Sequence, residues 1–364
     1  MKIFLKFSFM ILSDIYRGFV YIKEVLQSNT NHSFDVAYIT NFNNSVEQGF
    51  MGISSLWCDK AFVPALKLQL GDVRGRYIAI NNVAKDMNRN PVTGEITDGM
   101  KVARKQARQA IKYSVRKGVR VVLFGASTKR LFSKQELAEF TTCHPGVIFT
   151  IGDNGTVIAL WQDVRSALDK NDISKDDGIV VIGPNGFLGS VIRKKLLENG
   201  YTNIIPISQR GHNPFAEARD VKLVVACSHH HRVRLSQSII KDIMYHGGVH
   251  VIDVCKPFNF SRAEYENCKR EGILVTRQDA GNMMNVNLAY SGSVIASVAL
   301  KQLNLSQERL FGCFSEATAL AYSNSSSQGN MFLTVNDPAI NIVGDAFKQS
   351  QFVTAPQCNF GNVL

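Results

Sequence analysis

The stretch Ile179-Val180-Val181-Ile182-Gly183-Pro184-Asn185-Gly186-Phe187-Leu188-Gly189-Ser190 restricts the fold of this chain more than any other. An apolar run enters glycines at 183, 186 and 189, and the helical pattern Val191 to Leu197 follows at once. Strand, glycine loop and helix in that order present backbone N–H groups and a helix N-terminus to a phosphate. The spacing is Gly-x-x-Gly-x-x-Gly rather than the commoner Gly-x-Gly-x-x-Gly. Gly183, Asn185, Gly186, Phe187, Leu188 and Gly189 are therefore the candidate cofactor-binding residues of the loop.

The pattern continues on either side. Ile204–Ile207, Leu223–Ala226, Val249–Val254 and Ile273–Thr276 read as strands, with helices over 187–199 and 236–245. Strands alternating with helices predict an α/β fold with a doubly wound, Rossmann-type parallel sheet over 178–285. Upstream, 35–168 reads as a second α/β domain for the substrate, with strands near 34–39, 75–80, 119–124 and 147–152. Apolar residues at 100, 103, 107, 111 and 115 give one helix an apolar face, and Gly118 stops it. Residues 286–364 read as a small helical C-terminal region, with helices over 287–303, 311–322 and 340–352.

Residues 1–34 are an extension with a basic, apolar start, Lys2-Ile3-Phe4-Leu5-Lys6-Phe7. An amphipathic helix lying on a membrane or on the protein is the first reading, which allows peripheral membrane contact. A translation start placed too far upstream is the second, and a signal peptide without a small-residue cleavage site the third. No segment has the uninterrupted apolar length of a membrane span. Seven cysteines without a repeating spacing do not form a disulfide framework, which points to a reducing, cytoplasmic compartment.

An NAD-binding unit usually ends its second strand with an acid that holds the ribose hydroxyls. Here that strand ends Pro206-Ile207-Ser208-Gln209-Arg210, with no acid and with an arginine in reach of a ribose phosphate. Ser208 and Arg210 thus favour NADPH. Ser228, beyond the strand 223–226, joins the candidate cofactor-binding set.

A reductase acting at the acyl level commonly uses a cysteine, since a thiolate forms a thioester that accepts hydride. Cys227 and Cys255 each follow a strand and face the expected cofactor edge. Cys313 precedes a helix, whose N-terminus favours a thiolate. Residue chemistry alone leaves all three open. His229-His230-His231 with Cys227 supplies too little of a ligand set for zinc, and no metal site is expected.

The segment Phe311-Gly312-Cys313-Phe314-Ser315-Glu316-Ala317 resembles the Phe-Ala-Cys-Phe-Ala-Glu-Ala segment of the cyanobacterial long-chain acyl-[acyl-carrier-protein] reductases. Gly75-Arg76-Tyr77-Ile78, Gly125-Ala126-Ser127-Thr128, Thr150–Thr156, the loop 181–190, Val251-Ile252-Asp253 and Pro257 have counterparts in the same order. The likeness covers roughly residues 35–352. It implies that Cys313 carries the acyl group, that NADPH reduces it, and that an aldehyde leaves. Two segments depart from the family. Ala280-Gly281-Asn282-Met283-Met284-Asn285 stands where the family has Gly-Gly-Val-Val-Glu-His, and Ser323–Ser327 replaces a tryptophan-containing loop.

The formal net charge is +11, and residues 101–130 hold ten Lys or Arg and no Asp or Glu. Lys105, Arg108, Lys112, Arg116 and Lys117 lie off the apolar stripe of their helix, a one-sided face suited to an acidic partner. The resemblance names acyl carrier protein, which is acidic, as that partner, with an acyl chain as cargo. No nucleic-acid recognition motif is visible. Shikimate dehydrogenase-like and glutamyl-tRNA reductase-like oxidoreductases, and a non-catalytic NADPH-binding protein, fit the same order of elements.

Overall fold

The computed structural model describes residues 33–42, 61–90, 93–209, 214–228, 230–291, 308–325 and 329–364. In chain order the first elements are β1 (Val36–Phe42), β2 (Phe62–Leu70), β3 (Val73–Val83), α1 (Asp98–Arg116), β4 (Val121–Phe124), α2 (Lys134–Cys143) and β5 (Ile148–Thr150). There follow α3 (Asp153–Lys170), β6 (Gly178–Ile182), α4 (Phe187–Glu198), β7 (Ile204–Ile207), β8 (Val221–Ala226), α5 (Gln237–Ile243), β9 (Val249–Asp253), α6 (Arg262–Arg270), β10 (Val275–Asp279) and β11 (Asn282–Met284). The chain closes with β12 (Leu288–Ser291), β13 (Arg309–Phe311), α7 (Gly312–Tyr322), α8 (Asp337–Gln349), β14 (Val353–Thr354), β15 (Cys358–Asn359) and β16 (Asn362–Val363).

Two compact units share these elements. The first comprises Met1–Gly152, Val286–Leu303 and Cys313–Gln351, and the second Asp153–Asn285, Asn304–Gly312 and Phe352–Leu364. These units run across the three consecutive blocks expected over 35–168, 178–285 and 286–364. Residues 153–170 pack in the second unit, and the C-terminal region is shared between both rather than standing as a helical region of its own. The expected extension 1–34 lies outside the described residues, apart from Ser33 and Phe34.

The second unit holds a seven-stranded sheet in the order β16-β15-β10-β9-β8-β6-β7. Strands β6 to β10 run parallel, while β15 and β16 close the edge antiparallel. Ile179, Val180, Val181 and Ile182 are wholly buried, as parallel strands covered on both faces require. Alternate residues enter opposite cores. Ile179 and Val181 pack with Leu160, Val164, Ile192 and Leu196 from α3 and α4. Val180 and Ile182 pack with Ile240, Ile243 and Cys268 from α5 and α6. Helices thus cover both faces, and the sheet is the doubly wound α/β sheet expected from the sequence.

The first unit holds a six-stranded mixed sheet in the order β12-β2-β3-β1-β4-β5. Strands β3, β1, β4 and β5 are parallel, and β2 and β12 add an antiparallel edge. On α1 the apolar face holds as read: Met100, Ala103, Ala107 and Ile111 are buried against Ile39, Ile78 and Phe124. Thr97 caps this helix by accepting the Met100 N–H, and Gly118 leaves it at φ +79°. The opposite face of the sheet carries Tyr38, whose ring stacks on Phe314 of α7 with centroids 4.8 Å apart. The helix bearing Cys313 is therefore a covering layer of this sheet.

The helix expected over 287–303 is corrected at its start. Leu288–Ser291 pairs antiparallel with Lys67–Leu70 as β12, because its backbone groups extend the hydrogen-bonded ladder at the edge of the sheet. Residues 292–307 lie outside the described residues. Among the described residues no helix is long and apolar enough to cross a membrane.

Candidate functional site

In the second unit the strand register lines up the expected cofactor residues at one edge. Ile182 pairs with Ile207 and with Ala226, and Ala226 pairs with Asp253. Gly183, Ser208 and Ser228 thus all lie just past the carboxyl ends of their strands, where doubly wound sheets bind ligands. Gly183 adopts φ +79°, and a Cβ there would lie 2.8 Å from Cβ of Ser228. A Cβ on Gly189 would lie 2.2 Å from the carbonyl oxygen of Gly183. These two glycines let the first turn of α4 close against the end of β6.

Gly186 is the N-cap of α4, and no side chain caps the helix there. The Gly186 N–H donates to the carbonyl of Gly183 at 3.1 Å, which holds the turn. The first N–H groups of an α-helix have no intrahelical acceptor, so Phe187, Leu188 and Gly189 offer donors at the positive end of the helix dipole. Asn185, Gly186 and Phe187 are exposed. A glycine cradle with a bare helix N-terminus fits a dinucleotide pyrophosphate. Arg210, expected from the sequence to meet a ribose phosphate, lies outside the described residues, as does His229.

The structure separates the three candidate cysteines. Cys255 is buried, and its Sγ donates to the Ala226 carbonyl at 3.2 Å. Burial, aided by the Asp253 carboxylate, pushes its thiol well above the usual range. Cys227 keeps partial exposure, yet desolvation against the core, then Asp253, pushes its thiol up to about 12. Both are held as thiols at neutral pH. Cys313 differs in setting. It is half-buried, and it is the second residue of an eleven-residue helix in the first unit.

The surroundings of Cys313 in the first unit are tight. A Cβ on Gly152 would lie 2.3 Å from Cβ of Cys313, and Gly152 has φ +73°. Gly152 ends the turn after β5, so Cys313 sits at the carboxyl end of that strand. The Gly152 N–H donates to Oγ1 of Thr150 at 2.9 Å, and that hydroxyl is bonded to the wholly buried Glu316, one turn along α7 from Cys313. Tyr38 bonds Thr318 of the same helix at 2.7 Å, and burial drives its phenol upward. Gly75 faces this ring: a Cβ there would lie 2.6 Å from it.

Three features escaped sequence reasoning. Lys256 follows β9, its ammonium lies 3.7 Å from the Phe258 ring centroid, and burial lowers it to about 8. Its place directly after Cys255, before Pro257, was the only signal. Arg277 is wholly buried in the second unit, pairing with Asp253 at 3.4 Å and Asp279 at 2.7 Å between the rings of Phe258 and Phe360. An alternating strand gives no hint that its inward residue is an arginine. The third is Asp163, whose carboxylate accepts the Gly281 N–H at 2.8 Å. That bond commits the Gly281 N–H within the second unit.

On α1 the basic face is real but partly neutralised. Arg108 pairs with Glu136 at 3.0 Å, Arg104 pairs with the same carboxylate, and Lys101 pairs with Asp98. Lys105, Lys112, Arg116 and Lys117 have no ion pair among the described residues. A groove of about 550 Å³ runs beside Ile96, Lys101, Arg104, Lys105, Arg108, Gln109 and Lys112. Among the described residues no group of three His, Cys, Asp or Glu is placed to hold a metal ion.

No protein-family model matches the chain, and no curated protein matches it. Solved structures do match in outline. A protein assigned as a malic enzyme (malate oxidoreductase) is 12% identical over 93% of this chain and 90% of its own, with a TM-score of 0.38. A dipicolinate synthase chain from Bacillus halodurans is 13% identical over 68% of this chain and 90% of its own, with a TM-score of 0.30. The bifunctional FolD methylenetetrahydrofolate dehydrogenase/cyclohydrolase from Campylobacter jejuni is 12% identical over 74% and 88%, with a TM-score of 0.28. The assignment to the doubly wound α/β class rests on the sheet order and the two covered faces.

Proposed function

We propose that this chain is a nicotinamide-dependent oxidoreductase that reduces an acyl thioester to an aldehyde through Cys313. The observation that carries the reading is the contrast among the cysteines. Cys227 and Cys255 are pushed up by burial, whereas Cys313 is half-buried at the start of α7, beside a glycine with no side chain to spare. The segment around it is also the one most like the acyl-[acyl-carrier-protein] reductases.

The Cys313 thiolate attacks the thioester carbonyl. The bond to the carrier's sulfur breaks, the carrier leaves as a thiolate that takes up a proton, and Cys313 holds the acyl group as a new thioester. The backbone of Gly186 to Gly189 would hold the cofactor's pyrophosphate, Ser208 and Arg210 its ribose phosphate, and Ser228 its nicotinamide end. The nicotinamide, when bound, would supply hydride to the acyl carbon. The bond from that carbon to Sγ of Cys313 then breaks, and the aldehyde leaves as Cys313 returns to its thiolate. NADPH is the form that Arg210 favours. The cations along and just after α1 that have no ion pair among the described residues, Lys105, Lys112, Arg116 and Lys117, support docking of an acidic acyl carrier protein.

Intact-mass measurement after incubation with an acyl thioester tests the covalent step. Wild-type protein gains the mass of the acyl group, and Cys313→Ala gains none. Aldehyde formation at an undiminished rate by Cys313→Ala sinks the reading.

A further inference from the structure

Asp163 lies on α3 and is 6% exposed. Its Oδ2 accepts the N–H of Gly281 at 2.8 Å. The carbonyl of Gly281 in turn accepts the N–H of Gly312 at 2.8 Å. Cys313 is the next residue along the chain. Sterics enforce both glycines. A Cβ on Gly281, at φ +72°, would lie 2.6 Å from Cγ2 of Val254. A Cβ on Gly312 would lie 2.8 Å from Cα of Thr156 and 2.9 Å from the Gly281 carbonyl oxygen. One buried carboxylate thus stands at the root of a two-step backbone relay that ends beside the candidate nucleophile.

We infer that Asp163 is a positioning residue for Cys313: through Gly281 and Gly312 its carboxylate fixes the backbone from which the thiol projects at the start of α7. The inference rests on Cys313 being the reactive thiol, as proposed above. A carboxylate grips an N–H about twice as strongly as a neutral oxygen does. The hold on Cys313 therefore depends on the charge of Asp163.

Among the described residues, the groups acting on that carboxylate are the Gly281 N–H and Arg309. Arg309 of β13 faces it and favours its charged form, while also donating to Sγ of Cys358 and to the Pro356 carbonyl. Strands β11 and β14 carry no titratable side chain. Lys195 of α4 lies over the Trp161 ring. On β9, Asp253 pairs with Arg277, and His250 bonds Thr276 and Gln278. Burial, the largest influence, raises the Asp163 carboxyl to about 7 against the Gly281 N–H and Arg309, so its charge changes near neutrality.

Site-resolved alkylation of the full-length protein tests this without any turnover. Wild type and Asp163→Asn, which keeps an acceptor but not the charge, are treated with iodoacetamide from pH 6 to 8. Cys143, exposed on α2, is the internal control. The ratio of wild-type to variant rate at Cys313 should rise at least about threefold across this range, while the ratio at Cys143 stays flat. A flat ratio at Cys313 in two folded proteins overturns the inference, as does a Cys313 that does not alkylate at any pH. Should Asp163→Asn not fold, amide exchange over residues 280–284 of the wild type decides. Protection that rises through pH 7 supports the relay, and protection that does not change overturns it. A rising alkylation ratio without acyl transfer to Cys313 would sink the reductase reading and leave the positioning role standing.

Discussion

At the scale of single residues, the site is built from places where only hydrogen fits. Gly152 has both a left-handed backbone and a Cβ position 2.3 Å from Cys313. Gly152→Ala should destabilise the first unit by roughly 2–4 kcal/mol and disturb Cys313. Thermal denaturation should show the loss, and acylation at Cys313 should fall with it. Asp163 carries the opposite kind of constraint, a buried charge. Its folded-state value is raised above the ordinary 3.8 to about 7, so the folded chain binds a proton that the unfolded chain has released. That contribution to stability is complete below about pH 4 and is lost as pH rises through about 7. Asp163→Asn should therefore flatten the pH dependence of stability between pH 4 and 7, a span worth roughly 2–4 kcal/mol. Urea unfolding at several pH values reads this directly, and an unchanged slope refutes it. Neither residue was legible from the sequence alone. Gly152 reads as the end of a strand, and an aspartate in the middle of a helix looks like any solvated one until its face is known to be buried.

At the scale of elements, the β6–loop–α4 unit is the part the sequence stated most clearly. Its apolar run, glycine spacing and helix start appear as Gly178–Ile182 and Phe187–Glu198. The loop geometry depends on Gly189, whose Cβ would meet the Gly183 carbonyl oxygen at 2.2 Å. Gly189→Ala should weaken NADPH binding by at least about tenfold, which corresponds to about 1.4 kcal/mol. Titration of reduced-nicotinamide fluorescence checks this, and unchanged affinity would show that the cradle is not the pyrophosphate site. Helix α1 was equally legible, since its apolar stripe and one-sided charge are both local patterns. The sequence did not show that Glu136 from α2 takes up Arg104 and Arg108. Lys105→Glu with Lys112→Glu should raise KM for carrier-borne acyl chains about tenfold or more, and leave coenzyme A esters nearly unaffected. Equal effects on both substrates would remove the docking role. Strands such as β11, β13 and β14 were missed because two- and three-residue pairings have no period to detect.

At the scale of the whole molecule, the chain passes between its two units five times, after residues 152, 285, 303, 312 and 351. Two of these passages fall directly after Gly152 and Gly312 in the chain. A consecutive reading of domains cannot find such an arrangement, because contact partners far apart in sequence leave no local trace. The net charge of +11 belongs to this scale too. Turnover with an acidic carrier should fall steeply as ionic strength rises, because screening shortens the reach of exposed charges. The sequence by itself determined the class of fold, the glycine loop between β6 and α4, the apolar face of α1 and a short list of cysteines. Each depends on neighbours within about twenty residues, where periodicity and turn chemistry are physically expressed. Only the tertiary structure decided which cysteines are buried as thiols, which glycines are obligatory, and where the Gly281 N–H is spent. Burial and hydrogen-bond partnership are properties of distant segments brought together, and the glycine loop alone carries no record of them.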